Sequence, residues 1–113
     1  MLHFYTEERP WGKFEQFAKN EKATVKIITV KPNEELSLQL HHNREEHWKI
    51  LSGDPTIQIG EEKTKATKGD EFFVGKETKH RIYGGEQEAE ILEICLGEFD
   101  EKDEERLEDK YGR

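Results

Sequence analysis

The sequence predicts an all-β domain, an antiparallel sandwich or barrel built from many short strands. Its apolar residues collect in runs of four to eight, VKIITV, LSLQL, WKIL, EFFVG and AEILEICL, rich in β-branched and aromatic side chains. Turn chemistry separates these runs, and before residue 98 no apolar spacing follows the 3.6-residue period of a helix. Short strands with a turn every few residues suit an antiparallel sandwich or barrel rather than alternating strands and helices.

Taken in order, the predicted strands are 13–19, 23–31, 36–42, 46–52, 55–60, 62–66, 71–74, 79–84 and 88–96. Pro32-Asn33 closes the second, and Gly53-Asp54-Pro55 and Gly60 bracket the fifth. Gly69-Asp70 precedes EFFV, and Gly84-Gly85 separates the last two strands. The tail, EFDEKDEERLEDKYGR, is acidic and weakly amphipathic, and reads as a short helix or an irregular strap.

The 113 residues support one domain, 1–113, with no internal repeat, linker or low-complexity segment. Eighteen basic against 26 acidic side chains give a net charge of −8, which argues against nucleic acid as a partner. Mean hydropathy is −1.04 and no apolar run approaches the roughly 18 residues of a membrane span, so no membrane partner is expected. The start, MLHFYTEERPWG, does not read as a signal peptide, and a cytoplasmic protein is the expectation. The one cysteine, Cys95, can form no internal disulfide and makes no thiolate metal site by itself.

The chemistry concentrates in LSLQLHHNREEHWKILSG and in TKHRIYG. Strand side chains alternate, so Gln39 and His41 share a face, and Glu46 shares one with Trp48 and Ile50. Gln39, His41, Glu46 and His80 together offer two imidazole nitrogens and two oxygens. That set suits zinc, iron, manganese or nickel rather than calcium or a thiolate-seeking ion. The competing reading of HHNREEH is a solvated polar loop.

Spacing supports the metal reading. Gln39-x-His41, four residues, Glu46, six residues and Gly53 resemble the first motif of the cupin superfamily, a small double-sheet β-barrel, with glutamine in place of the first histidine. Gly69 and His80 fit the second motif, while Gly75 stands where proline is usual and Glu77 where glycine is usual. With ERPWG (8–12), residues 30–53 and RLEDKYGR (106–113), the chain is similar to the type II phosphomannose isomerase domain, the carboxyl-terminal part of bifunctional enzymes that also carry mannose-1-phosphate guanylyltransferase. No Gly-rich phosphate loop after a strand is present here, so that second activity is not carried over.

The resemblance implies metal-dependent interconversion of mannose 6-phosphate and fructose 6-phosphate, supplying nucleotide-sugar and polysaccharide biosynthesis. It implies a divalent ion on Gln39, His41, Glu46 and His80, zinc first, with iron, manganese, nickel or cobalt as alternatives. A neutral glutamine leaves such a site more positive and the ion a better acid. Phosphate needs local cations. Arg9 and Arg44 are assigned to substrate binding and Arg106 and Arg113 to catalytic roles at the barrel mouth, against the plainer reading that terminal arginines offset an acidic tail. Arg81 alternates away from His80. For the proton-transferring base, His42, Glu108 and Asp109 are open choices, and His47 and Lys49 turn outward.

Trp48, Ile50, Phe72, Val74, Leu92, Ile94 and Leu96 are the expected core, with Cys95 a small filler and Trp11 packed to anchor the amino-terminal arm. If Gln39 and His41 face the ion, Leu36, Leu38 and Leu40 form an apolar stripe outside the barrel, and a homodimer covering it is expected. A separate mannose-1-phosphate guanylyltransferase is a further expected partner. The alternative function is a non-catalytic cupin sugar-binding or regulatory domain.

Overall fold

Residues 5–112 are described by a computed structural model, in which every regular element is a strand. The order is β1 (Tyr5–Arg9), β2 (Gly12–Gln16), β3 (Ala23–Val30), β4 (Leu38–Leu40), β5 (Arg44–Ser52), β6 (Thr56–Ile59), β7 (Glu62–Lys65), β8 (Glu71–Val74), β9 (His80–Tyr83), β10 (Ala89–Gly97) and β11 (Glu105–Glu108). Two antiparallel sheets carry the fold, β3-β10-β5-β8 and β11-β4-β9-β6-β7, and β1 and β2 form a hairpin of their own.

Alternation explains the core. Val30, Trp48, Ile50, Val74, Ala89 and Ile91 point inward from the first sheet and meet Ile57 and Ile82 from the second. Fully burying side chains of this size contributes about 1.5–3 kcal/mol each. On β10 the inward set is Ala89, Ile91, Glu93 and Cys95, all buried. Leu92, Ile94 and Leu96 therefore lie on the opposite face, where Leu92 and Phe17 pack against buried Ile94 and Leu96 in a second cluster. Their expected place in the central core is thus corrected. The register decides it, because Ile94 is opposite His47 rather than Trp48. Cys95 is buried, as expected of a filler.

Three further expectations change. The tail contains a strand, β11, which pairs with β4 and extends the second sheet rather than forming a helix. The Leu36–Leu40 stripe is not open: Leu38 is buried within the single chain, Leu36 packs on the main core, and Leu40 is half-buried opposite Glu105. Trp11 is 73% exposed at the tip of the β1–β2 hairpin rather than packed as an anchor among the described residues.

Two turns hold the site's strands in place. Gly53 ends β5 at φ +88°, and a Cβ there would lie 2.6 Å from the Glu88 carbonyl oxygen and 2.7 Å from Ala89 Cα. Any side chain would push β5 and β10 apart. Glu77, where the cupin motif usually has glycine, takes a left-handed φ of 61° while its amide donates to the His41 carbonyl at 2.6 Å. A non-glycine residue in that region costs about 1–2 kcal/mol, partly offset in a glycine variant by greater unfolded-state freedom. Glu77→Gly is expected to stabilise the domain by about 0.5–1 kcal/mol, read as a higher urea midpoint at unchanged slope.

Candidate metal centre

The loop after β4 carries His41, β5 carries Glu46 and the start of β9 carries His80. One ligand atom from each lies within 4.8 Å of the other two, and all three residues are buried. Their hydrogen bonds set the tautomers. His41 Nδ1 donates to the Asp103 carbonyl at 2.7 Å, and His80 Nδ1 donates to the Thr78 carbonyl at 2.9 Å. Both rings therefore turn Nε2 towards Glu46, at 3.2 Å from His41 and 3.9 Å from His80. Imidazoles braced through one nitrogen with the other lone pair directed at a shared point are the usual supports of a metal ion. The nitrogen and oxygen donors fit a borderline divalent ion.

Charge is arranged to match. Burial pushes the Glu46 carboxyl up, but His80, His41 and Arg44, with the Trp48 indole donating at 2.9 Å, outweigh it and hold the group below the usual carboxylate range. Burial lowers His80 against the upward pull of Glu46. The Trp48 ring meets His80 edge-on at 5.5 Å and fixes its plane.

Gln39 lies opposite His80 in the sheet register, so both project from the same face. With its amide nitrogen facing the carboxylate, Gln39 donates to Glu104 at 2.7 Å. Gln39 and His80 also line a small cavity of about 10 Å³ with Trp48 and Glu93.

The arginines separate. Arg44, assigned to substrate, is buried in the cluster: its Nε donates to Glu46 at 3.0 Å, a terminal nitrogen lies 2.9 Å from His41 Nε2, and its guanidinium covers the Phe99 ring. Arg106 pairs with Gln39 across β11 and β4, which puts it on the face of Gln39 and His80, and it is held by Glu104 and by Asp109 at 3.8 Å. Arg9 lies at the hairpin tip, stacked over Phe14 and paired with Glu7. Arg113 lies outside the described residues. Arg81, facing away as expected, staples the tail by donating to the Leu36 and Glu108 carbonyls. Of the suggested bases, His42 lies outside the cluster near Glu105, Glu108 is exposed and Asp109 pairs with Arg106.

Sequence reasoning passed over two contributors. Glu93 projects inward beside Glu46, and burial, reinforced by the Glu46 charge, pushes it up to about 7. Cys95 donates to it at 3.2 Å. The signal was present: an acid in the middle of an apolar strand, two residues from inward Ile91. Asp103 had no such signal. Its carboxylate accepts from the amides of His42 and Asn43 at 2.9 and 2.8 Å, and so clamps the tail over the loop that carries His41.

His47 faces the other side of β5, and burial pushes it down from 6.5 to about 4. The unfolded chain therefore takes up this proton first as pH falls. Stability contributed by the neutral ring is complete above about 6.5 and is lost progressively towards 4. Urea unfolding is expected to weaken across that window by at most about 1.4 kcal/mol per pH unit from this residue, a slope that His47→Gln reduces.

The two-sheet barrel with the His41–Glu46–His80 cluster between its sheets has the fold of a cupin. Oxalate decarboxylase from Bacillus subtilis superposes with a TM-score of 0.69 at 22% identity, over 77% of this chain and 24% of that one. A cupin protein from Bacteroides fragilis gives 0.62 at 24% identity, over 77% and 78%. Within that class, the chain belongs to the family of mannose-6-phosphate isomerase C-terminal domains, whose profile matches residues 2–109. It is 38% identical to the xanthan biosynthesis protein XanB of Xanthomonas campestris over 93% of this chain and 23% of that protein. The alginate biosynthesis protein AlgA of Pseudomonas aeruginosa is also 38% identical, over 93% and 22%. The chain thus spans less than a quarter of the length of these relatives.

Proposed function

We propose that the domain is a metal-dependent aldose–ketose isomerase that interconverts mannose 6-phosphate and fructose 6-phosphate in the cytoplasm, feeding nucleotide-sugar and polysaccharide synthesis. The observation that carries this reading is the convergence of His41, Glu46 and His80, from three separate segments, on one point inside the barrel. Family membership supports it, as does likeness to a putative sugar phosphate isomerase from Acidithiobacillus ferrooxidans, with a TM-score of 0.60 at 25% identity over 66% of this chain and 49% of that one.

In this reading His41, Glu46 and His80 hold the ion, with Gln39 beside them, and zinc is the first expectation ahead of iron, manganese, nickel or cobalt. Bound there, a divalent ion supplies a Lewis acid for the carbonyl that gains negative charge as the enediol forms. Glu93, the inward carboxyl outside that ligand set, takes the proton from C2 of the aldose and returns it to C1. Arg106, on the face of Gln39 and His80, receives the phosphate once Glu104 releases it. The cavity, about 10 Å³ and so room for roughly one water, is far smaller than the roughly 300–1,000 Å³ usual for small-molecule sites, so the strap that carries Glu104 moves to admit the sugar.

The second reading is a sugar-binding or regulatory domain without turnover. Arg44 favours it, since its guanidinium sits against two of the ligand atoms. Metal analysis followed by coupled turnover of mannose 6-phosphate, with and without chelator, separates the two. Chelator-sensitive turnover is expected, and Glu93→Gln is expected to cut kcat by about 10²–10⁴ while metal content stays the same. A loaded protein that binds the sugar without converting it supports the second reading.

A further inference from the structure

One guanidinium bridges two of the three ligand atoms of the metal centre. Arg44 opens β5, and strand alternation puts it on the inward face with Glu46, Trp48 and Ile50. Its partner in the register is Gly97, so no side chain of β10 stands opposite it. The guanidinium is held on three sides. Nε donates to Glu46 Oε2 at 3.0 Å, a terminal nitrogen lies 2.9 Å from His41 Nε2, and the flat face covers the Phe99 ring at 4.5 Å. Among the described residues the other buried arginine is Arg81, which faces away from the cluster and holds the Leu36 carbonyl.

Lone pairs decide what these contacts mean. His41 Nδ1 gives its proton to the Asp103 carbonyl, which leaves Nε2 with a single lone pair in the ring plane. An arginine side chain has no acceptor, so Arg44 is the donor to that nitrogen. A metal ion needs the same lone pair, at about 2.0–2.1 Å for zinc. Arg44 and an ion therefore cannot hold His41 at once. The carboxylate repeats the conflict. Glu46 Oε1 accepts from the Trp48 indole, and Oε2, the oxygen 3.2 Å from His41 Nε2, is the one that Arg44 holds. An ion shared by His41 and Glu46 would meet the guanidinium at contact distance, where like charges repel with little water to screen them.

We propose that Arg44 is the resident counter-cation of this centre: its side chain neutralises buried Glu46 and saturates His41, and a divalent ion enters by displacing it. This rests on the reading of the cluster as a metal centre and adds what an ion has to overcome there. A buried carboxylate stripped of its cation is strongly destabilising, so Arg44 keeps the ligand atoms gathered while the barrel folds. The same contacts set a threshold for loading. Every ion breaks two charge-assisted hydrogen bonds before it binds, so Arg44 lowers the affinity for all of them by a common factor. Their relative order is left to the nitrogen and oxygen donors. Gly97 keeps the displacement local, because the Arg44 side chain changes rotamer with no cross-strand side chain to move.

Chelator competition with zinc and with cobalt, on the full chain, tests the displacement. Arg44→Gln is expected to bind each ion about 10–100-fold more tightly than wild type and by the same factor, as the loss of a hydrogen bond to a charged group predicts. At equal free zinc, the ion is expected to raise the urea midpoint of Arg44→Gln more than that of wild type, since it supplies the charge that the variant lacks. Arg44→Lys keeps the charge without the fork, is expected between the two, and carries the test where the glutamine variant fails to fold. In the wild-type protein the Arg44 Nε proton, identified by its absence from the spectrum of Arg44→Lys, is expected to exchange slowly without zinc and rapidly with it. Ion binding by the variants that is equal to wild type or weaker, or an Nε proton still protected in the zinc-loaded protein, overturns the inference and leaves the metal centre standing. Zinc bound by none of the three proteins overturns both.

Discussion

Glu46→Gln is expected to empty the centre and to weaken the fold at the same time. The substitution keeps the shape of the side chain but removes the negative charge held down by His80, His41 and Arg44. Arg44 is buried and would lose its carboxylate partner, a change that typically costs about 3–5 kcal/mol. That is a large part of the roughly 5–15 kcal/mol by which domains are stable. Urea unfolding should show the loss, and metal analysis of the folded fraction should fall to background. His80→Gln separates the two effects, because it leaves the Glu46–Arg44 pair intact. Metal should be lost there with a smaller change in stability. A Glu46→Gln protein that keeps its ion, loaded as in wild type, would remove the carboxylate from the ligand set.

Asp103→Ala is expected to weaken metal binding by about 10–100-fold without touching a ligand. The Asp103 carboxylate holds the amides of His42 and Asn43, while its carbonyl receives the Nδ1 proton of His41. Loss of the carboxylate frees the tail from the loop, and the carbonyl no longer fixes the ring that presents Nε2. The barrel core makes no use of this residue, so strand content and unfolding slope should stay near wild type. A competition titration against a chelator measures the change. Unchanged affinity would show that the loop holds His41 without help from the tail. The amides of His42, and after them Asn43, keep the Asp103 carboxyl below its ordinary value against the upward pull of burial. The clamp is therefore complete above the usual carboxylate range and fails as pH falls through that lower value.

Local pattern decided much of this protein. The strands from 23–31 onward lie where β-branched runs meet glycine and proline, and strand parity alone put Glu46 with Trp48 and turned His47 and Lys49 outward. Parity is reliable because a pleated strand has a period of two, whatever it packs against. Trouble began where an apolar run was polar-free on neither face. In AEILEICL both faces are buried, one in the barrel and one under Phe17, so hydrophobicity could not say which set pointed in. The core was read from the wrong set, and Glu93 was overlooked with it. β1 and β11 escaped for a related reason: TEER and ERLE are too charged to look like strands, and each pairs with a neighbour, β1 with β2 and β11 with β4.

The spacing of Gln39, His41, Glu46 and His80, the turn glycine at 53 and the family of the chain were all written in the residues themselves, since each rests on short-range geometry that one strand or one turn imposes. Which nitrogen each histidine turns inward, the burial of Arg44 against Glu46, and the closing of the tail over His41 by Asp103 arose only when the two sheets met. The hold of Asp103 on His41 spans 62 residues of sequence, and no local periodicity encodes a distance of that kind.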